Sequence, residues 1–163
     1  MPQAILALGS NQANPKENLD RAITALSALG TVKEVAPYIL SEPEGYDTQP
    51  DFVNTVLILS TPYGPVDLLR KLKELETKLG RVPTFKNGPR VIDLDILFYE
   101  NQVIFDTDVM LFVPHPRIPE REFVLKPLSY ILPDFIHPQL QKSVTQLYRE
   151  LMRKKAKVTC KIL

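Results

Sequence analysis

Two aspartates lie two residues apart where apolar and polar residues alternate, in the segment Ile92-Asp93-Leu94-Asp95-Ile96. Such alternation predicts a β-strand on which Asp93 and Asp95 share one face. Two carboxylates about 6.5–7 Å apart repel each other by ~2–3 kcal/mol at an effective dielectric constant of about 20. A divalent cation with oxygen ligands would relieve that repulsion, and a solvent-facing edge strand is the alternative. The pair alone leaves both interpretations open.

Basic residues precede and follow the aspartate pair along the chain. Guanidinium groups bind phosphate oxygens in bidentate pairs, while carboxylates hold the cation that accompanies a polyphosphate. The combination favours a metal-bridged polyphosphate as ligand, although any one of these basic residues alone is typical of solvated surface. Neither a Gly-x-x-x-x-Gly-Lys loop nor a Gly-x-Gly-x-x-Gly turn occurs, so a P-loop or Rossmann fold is not indicated. The basic residues are Arg81, Lys86, Arg90, His115, Arg117 and Arg121.

His115 is the histidine whose surroundings suit a functional site. It lies in Pro114-His-Pro-Arg-Ile-Pro-Glu-Arg121, where three prolines would hold the side chains in fixed directions. A hydrogen-bonded loop histidine is the alternative. His137 has no polar neighbours in the sequence and is typical of a structural histidine, and Cys160 has no neighbour that would activate its thiol.

Composition limits the classes of protein to which the chain can belong. Its 163 residues suit a single domain, 1–163, and 44% apolar with 24% charged residues is typical of a globular protein. One cysteine excludes an internal disulfide. Twenty basic and nineteen acidic residues give a net charge of +1, which argues against a general nucleic-acid binder. Without a membrane span or a secretory signal, a cytoplasmic protein is expected.

The hydrophobic pattern predicts an α+β protein whose elements follow the order β-α-β-β-α-β. Predicted strands are rich in β-branched residues, and predicted helices carry leucines at helical spacing. This order is that of the ferredoxin-like folds, in which helices pack on an antiparallel sheet. The predicted strands are Gln3–Leu8, Val32–Leu40, Phe52–Leu59 and Val91–Tyr99, and the predicted helices run from Asn14-Pro15 to Gly30 and from Gly64-Pro65 to Gly80.

Cap residues predict where the two helices begin and end. Asn14 and Glu17 suit a capping box at the first helix, with Pro15 at its first position. Gly30 and Gly80 are expected to end the helices in the left-handed conformation that favours glycine.

The second half of the chain is rich in proline, with eight of the fifteen prolines beyond Val82. Asn101-Gln102 would link the last strand to residues 103–105 as an extra hairpin. The stretch Val113–Pro138 is expected to be irregular but rigid, because proline restricts the backbone. C-terminal helical structure is also expected, with the last helix around Val144–Leu151.

Four blocks of the sequence form a combination that is specific to one protein family. Together they resemble the 6-hydroxymethyl-7,8-dihydropterin pyrophosphokinases, a family of folate biosynthesis, from Ile5 to about Leu147. The resemblance implies a transferase that moves the β,γ-pyrophosphoryl group of ATP to the pterin hydroxymethyl oxygen and releases AMP. The blocks are Ala7-Leu-Gly-Ser-Asn11, Gln49-Pro-Asp-Phe-Val-Asn54, Gly88-Pro-Arg-Val-Ile-Asp-Leu-Asp-Ile96 and Pro114-His-Pro-Arg-x-x-Glu-Arg-x-Phe-Val-Leu125.

The resemblance also implies which residues meet ATP. Asp93 and Asp95 would bind two magnesium ions that bridge the triphosphate, and they would be catalytic together with Arg81 and Arg90. Such a metal clamp neutralises charge at the attacking and leaving oxygens of an in-line displacement. The full set that the resemblance implies for ATP is Glu76, Arg81, Arg90, Ile96, His115 and Arg121.

For the pterin, the resemblance implies a slot between Phe52 and Phe123, for which core packing is the alternative. Asn54 would read the pyrimidine edge of the ring with its amide. The implied ligands are small molecules, with no nucleic acid and no membrane, and the family suggests a monomer. The full set that the resemblance implies for the pterin is Ser41, Glu42, Glu44, Gly45, Phe52, Asn54, Asp93 and Phe123.

The chain departs from the family pattern on the nucleotide side. Lys86 replaces an arginine, Asn87 replaces a tryptophan, and Pro83 or Thr84 stands where a second arginine is often found. Met110 occupies a position where an arginine can contact the nucleotide. These changes leave the metal and pterin positions in place and bear on the closure of the basic loop Arg81–Pro89.

Three other functions fit parts of the pattern. A ferredoxin-like RNA-binding module would need stacking aromatic residues that the strand Val53–Ser60 lacks. Another Asp-x-Asp nucleotide transferase, such as one for nucleotide sugars, would share the metal pair but has no need of Asn54 with two phenylalanines. A regulatory ligand-binding domain would not account for Asp93 and Asp95.

Overall fold

An antiparallel sheet lies at the centre of the computed structural model, which describes residues 1–43, 48–81 and 88–162, with side chains up to residue 155. Among these residues its strands are β1 (Gln3–Ser10), β2 (Thr31–Val35), β3 (Ile39–Ser41), β4 (Phe52–Ser60) and β5 (Asp93–Tyr99). They lie in the order β2-β4-β1-β5, and β3 pairs with the start of β4. Every pairing is antiparallel, so the predicted α+β class and strand arrangement are confirmed.

Helices cover both faces of the sheet. The helices α1 (Pro15–Leu26) and α2 (Pro65–Lys78) pack on one face, and α3 (Glu122–Ile131) and α4 (Val144–Ile162) pack on the other. A separate ribbon pairs β6 (Ile104–Asp106) with β7 (Leu111–Val113). None of the described helices is long and apolar enough to cross a membrane.

The two faces of the sheet bury different side chains, because alternate residues of a strand point in opposite directions. Leu6 and Leu8 of β1 are 0% and 1% exposed and pack with the leucines of α1 and α2. On the opposite face, Ile5 and Ala7 belong to the layer that includes Leu125 of α3. The apolar layer under α1 and α2 therefore anchors the central strands from one side, while the other side is shared with the cleft described below.

The helix ends confirm one glycine prediction and overturn another. Gly80 adopts φ 101° after α2, as predicted for a left-handed cap. Gly30 is not in the left-handed region, and α1 already ends at Leu26. A Cβ atom at Gly30 would lie 2.1 Å from the carbonyl oxygen of Ser60. Glycine is needed there because two backbone segments approach closely.

Two further predictions for the first half of the chain are wrong in detail. The Asn14 side chain makes no capping hydrogen bond to α1, and its amide nitrogen lies 3.3 Å from a carboxylate oxygen of Glu17 instead. The predicted strand 32–40 is divided into β2 and β3. Pro37 lies between them, and proline has no N–H to donate to the ladder of a sheet.

The second half of the chain differs more from expectation. The strand β6 pairs with β7 and not with β5, so the predicted hairpin has a different partner. Within the proline-rich stretch, α3 forms around the internal Pro127. Proline inside a helix costs ~3 kcal/mol because a hydrogen bond is lost. Burial of Val124, Leu125 and Leu128, each at most 2% exposed, offsets that cost. The helix α4 confirms the predicted last helix.

Candidate active site

One transverse row of the sheet carries groups from both predicted sites. Gly9 of β1 pairs with Asn54 of β4 on one side and with Asp93 of β5 on the other. Two residues earlier along β1, Ala7 pairs with Asp95. Directly paired residues of neighbouring strands share a face of the sheet. The carboxylates and the amide therefore flank a trough whose floor consists of the small residues of β1.

Two side chains of β4 lie close to Gly9. A Cβ atom at Gly9 would lie 2.9 Å from Oδ1 of Asn54 and 3.6 Å from a ring carbon of Phe52. The amide nitrogen of Asn54 donates a hydrogen bond to the hydroxyl of Ser41 on β3, which fixes the orientation of the amide. Sequence reasoning missed this role of Gly9, because only the strand register makes it evident.

An open cleft of about 810 Å³, measured out to its mouth, lies over this row. At the edge of the cleft, the Arg121 guanidinium lies 5.3 Å from the ring centroid of Phe123. The structure therefore brings together most of the residues predicted for the two substrates. Those that line the cleft are Ser41, Glu42, Phe52, Asn54, Arg90, Asp93, Asp95, Arg121 and Phe123.

The two aspartates lie in a recess, where their side chains are 38% and 33% exposed. Burial raises the pKa of Asp93, and the charge of Asp95 adds to that effect. Burial likewise raises the pKa of Asp95. Arg81 opposes the shift at Asp93, because its Nη1 lies 3.0 Å from the Asp93 carboxylate. A dication would act in the same direction as Arg81, and magnesium is usually held by one or two carboxylates plus substrate phosphates.

The helix α2 holds β5 through the outward-facing backbone of Leu94, between the two aspartates. Glu76 Oε2 accepts the Leu94 N–H at 2.7 Å, and Lys73 Nζ donates to the Leu94 carbonyl at 3.3 Å. We call this pair of contacts the Leu94 clasp. Lys73 also lies 4.0 Å from a carboxylate oxygen of Asp95. Sequence reasoning missed Lys73, because its spacing of three residues from Glu76 predicts only the pairing of these two side chains on a helix and not the contact with β5.

Glu76 has a structural environment that the sequence did not predict. Its side chain is 4% exposed, and Oε1 forms an ion pair with Arg81 Nη1 at 2.8 Å. Burial raises the pKa of Glu76, and Lys73, the Leu94 N–H and Arg81 act in the opposite direction. Glu76 therefore links α2, β5 and Arg81, and its contact with ATP stays a prediction.

The remaining predicted nucleotide residues lie beside the cleft or behind it. The His115 backbone N–H donates to the Leu97 carbonyl at 2.9 Å, and its Nδ1 accepts the Arg117 N–H at 3.1 Å. Ile96 is 4% exposed and packs in the core under α1 and α2. Contact of His115 and Ile96 with ATP stays a prediction. Glu44, Gly45, Pro83, Thr84, Lys86 and Asn87 lie outside the described residues.

Three residues weighed in the sequence lie away from the cleft or outside the description. His137 is 3% exposed, and its Nδ1 accepts the backbone N–H groups of Gln139 and Leu140, as expected of a structural histidine. Met110 is 67% exposed in the turn between β6 and β7. The side chain of Cys160 is not among those described.

The fold and the cleft together define a class of protein, a ferredoxin-like domain with an open cleft lined by two carboxylates, arginines and aromatic rings. A particular family fits this class. The family model described as 7,8-dihydro-6-hydroxymethylpterin-pyrophosphokinase matches residues 5–133. With most of its length matched, the chain belongs to that family, and the resemblance found in the sequence is confirmed.

Several relatives consist largely of this domain. The chain is 38% identical over 152 residues to the 2-amino-4-hydroxy-6-hydroxymethyldihydropteridine pyrophosphokinase of Haemophilus influenzae, with 92% of this chain and 93% of the relative covered. It is 42% identical over 136 residues to the protein of the same name from Pseudomonas aeruginosa, with 82% of each covered.

Longer proteins contain a similar stretch. The chain is 40% identical over 142 residues to the folic acid synthesis protein FOL1 of Dictyostelium discoideum, covering 87% of this chain but 21% of that protein. The crystal structure of Plasmodium falciparum HPPK-DHPS with pteroate matches with a TM-score of 0.76 at 15% identity, over 91% of this chain and 44% of that chain. The latter likeness shows the fold alone. The chain thus spans about a fifth of FOL1 and less than half of the Plasmodium chain.

Proposed function

We propose that the chain transfers the β,γ-pyrophosphoryl group of ATP to the hydroxymethyl oxygen of 6-hydroxymethyl-7,8-dihydropterin, a step of folate biosynthesis. The hydroxyl oxygen forms a bond to the β phosphorus and loses its proton. The bond from that phosphorus to the oxygen bridging the α and β phosphates breaks, and AMP leaves. Family membership supports the reaction class. The observation that carries the proposal is the row in which Asp93 and Asn54 flank Gly9.

The phosphate side of the site would consist of the two aspartates and the arginines. Asp93 and Asp95 would hold the magnesium ions, whose charge would stabilise the oxygens of an in-line displacement. Arg90 and Arg121 line the same cleft and offer planar donors that suit phosphate oxygens. Arg81 contacts Asp93 and would therefore orient that carboxylate as well as meet the phosphates. These groups would act by positioning and by electrostatic stabilisation.

The pterin side of the site would lie across Gly9 from the metal. Phe52 and Phe123 line the cleft, and aromatic faces suit a planar heterocycle. Asn54 is 5% exposed and is oriented by Ser41, so its amide would pair with the pyrimidine edge in one orientation. Two strand spacings, roughly 10 Å, separate the backbones of Asn54 and Asp93. A bicyclic ring with a one-carbon arm can bridge that distance and bring its hydroxyl to the phosphates.

The test combines the purified protein with ATP, magnesium and 6-hydroxymethyl-7,8-dihydropterin, followed by separation of the products by anion-exchange chromatography. We expect AMP and the pterin diphosphate in equal amounts, and no product when magnesium is removed with EDTA. ADP as the nucleotide product would contradict pyrophosphoryl transfer. Absence of pterin-dependent AMP would reject the assignment altogether.

The proposal also includes two magnesium ions per site, a monomeric state and a cytoplasmic location. Two protein carboxylates and a triphosphate supply enough oxygen ligands for two ions that each keep several waters. Titration with manganese, followed by electron paramagnetic resonance in the presence of a non-hydrolysable ATP analogue, counts the ions. Light scattering measures the mass in solution, and a dimer would contradict the monomeric state.

A further inference from the structure

Asn11 lies between the segment that leads into β4 and the segment that leads into β5. It follows β1 directly, and 2% of its surface is exposed. It belongs to neither set of residues implied for the substrates. Its amide nevertheless makes hydrogen bonds in two directions, to the segment that leads into β4 and to the segment that leads into β5.

The contacts of Asn11 are short on both sides. On the pterin side, its Nδ2 donates to Gln49 Oε1 at 2.8 Å and to the Pro50 carbonyl at 3.0 Å. On the phosphate side, the Arg90 N–H donates to Asn11 Oδ1 at 2.8 Å, and the Asn11 N–H donates to the Arg90 carbonyl at 3.0 Å. One residue thus links two segments that are far apart in the sequence.

These contacts continue the sheet beyond its last strand pairs. The pairing of β1 with β4 ends at Ser10 and Val53, and the pairing of β1 with β5 ends at Gly9 and Asp93. Beyond those pairs, the Asn11 side chain takes over as the connection on both sides. Arg90 lies three residues before Asp93, and its side chain lines the cleft. A buried amide with partners on two sides resists displacement, because each lost partner leaves a polar group unpaired.

We propose that Asn11 is a positioning residue that couples the binding of the two substrates, an inference that rests on the proposed function. A ligand that fixes Pro50 relative to β1 also fixes Arg90 through the shared amide, and the reverse holds for a ligand bound by Arg90. Thermodynamic linkage makes the coupling equal in both directions.

Isothermal titration calorimetry measures this coupling as the ratio of the pterin dissociation constants without and with magnesium and a non-hydrolysable ATP analogue. For the unmodified chain we expect a ratio of at least ~5, the lower end of usual coupling between sites. Asn11→Asp keeps the acceptor for Arg90 but loses the donor to Gln49 and Pro50, so the ratio should fall close to one. Asn14→Ala, which removes an exposed amide of the same segment, should keep the ratio.

A purely structural role for Asn11 would lower the melting temperature and weaken both ligands while the ratio stayed at its original value. That result would overturn the proposal, as would a ratio near one in the unmodified chain. If Asn11→Asp does not fold, Gln49→Ala provides the decisive measurement, because it removes one pterin-side partner and keeps Asn11. We expect a reduced ratio for Gln49→Ala, and an unchanged ratio would overturn the coupling.

The activity of the unmodified chain distinguishes failure of this inference from failure of the proposed function. If the chain forms AMP and the pterin diphosphate while the ratio does not respond to Asn11→Asp, the coupling role is wrong and the reaction stands. If no product forms, the reaction is wrong, and the coupling inference falls with it.

Discussion

The two faces of the central sheet use the same strands for opposite purposes. Toward α1 and α2, β1 presents Leu6 and Leu8 to an apolar layer that excludes water. Toward the cleft, it presents Ala7 and Gly9, with carboxylates on the neighbouring strand. The first face is filled, whereas α3 and α4 cover only part of the second, which is open where β1 carries Ala7 and Gly9.

This difference shows how alternation along a strand separates stability from chemistry. On β5, Leu94 and Ile96 are anchored in the filled face, at 0% and 4% exposure. Asp93 and Asp95 alternate with these anchored residues, so the dense packing beneath them holds the strand in place although the two charges repel each other. The repulsion between the two carboxylates on the open face destabilises the fold, and the apolar packing on the filled face offsets that loss.

The largest effect should come from removing a carboxylate on the open face. Asp95→Ala should lower kcat by at least ~10³-fold, because loss of a metal ligand removes about 4 kcal/mol of charge stabilisation. Steady-state measurement of AMP release checks this, and the circular dichroism spectrum should not change. Asp134→Ala, an exposed carboxylate beyond α3, is the control and should keep normal turnover. Unchanged turnover in Asp95→Ala would show that the pair does not hold the metal.

A substitution on the filled face should have the next largest effect, and it should change the free energy of unfolding rather than kcat. Leu6→Ala should lower the free energy of unfolding by ~2–5 kcal/mol through the cavity that it leaves. Urea unfolding measures the loss, and Leu140→Ala, at a residue 43% exposed, is the control with a small expected change. Below the unfolding transition, kcat should stay near its original value. A large loss of kcat in folded Leu6→Ala would mean that the two faces cannot be separated.

A methyl group on the floor of the open face should have an intermediate effect that is selective for one substrate. Gly9→Ala places a Cβ atom 2.9 Å from Asn54 Oδ1, so the amide has to move. Pterin affinity should fall by ~10–100-fold, the scale expected of a displaced recognition group, while ATP affinity changes little. Calorimetric titration with each ligand checks the difference. Gly64→Ala is the control, because a Cβ atom there meets nothing within 4 Å. Equal losses for both ligands would place the damage in the fold.

The smallest expected effect is a change in the pH dependence of stability, caused by burial of the Asp95 carboxylate on the open face. Burial raises the native pKa of Asp95, so the native state keeps that proton longer than the unfolded chain, whose value is about 3.9. Stability of the metal-free protein should therefore decrease as the pH rises from the unfolded-state pKa through the raised native pKa. Asp95→Asn removes this cost. Its melting temperature at neutral pH should therefore exceed that of the unmodified chain.

Differential scanning calorimetry in EDTA, repeated at decreasing pH, checks this prediction. The advantage of Asp95→Asn should disappear below the unfolded-state pKa, where the carboxyl is protonated in both states. If Asp95→Asn is less stable at neutral pH, the contact of Asp95 with Lys73 outweighs the cost of burial.

Local patterns predict the site residues that share one strand or one motif. Asp93 and Asp95 belong to this group, because alternation along a single strand places them on one face whatever the strand pairs with. Lys73 and Gly9 do not belong to it. Their roles depend on how α2 crosses the edge of β5 and on which residues face each other across β1, and neither is a local property.

The errors in the predicted fold have the same origin. Glycine at position 30 serves the close approach to Ser60 rather than a helix cap, and the spacing of the sequence does not distinguish these two uses. The helix α3 forms despite Pro127, because tertiary burial outweighs a local cost. The strand β6 pairs with β7 and not with β5, although four residues separate it from each of them, so connection length does not distinguish the two partners.

The Leu94 clasp also protects an edge strand of the sheet that could otherwise pair with another chain. As the terminal strand of the sheet order, β5 would offer unpaired N–H and C=O groups to any extended chain that approached it. At Leu94 both groups are already occupied by Glu76 and Lys73. Two side chains of α2 thus make this position of the edge strand unavailable for pairing with another extended chain.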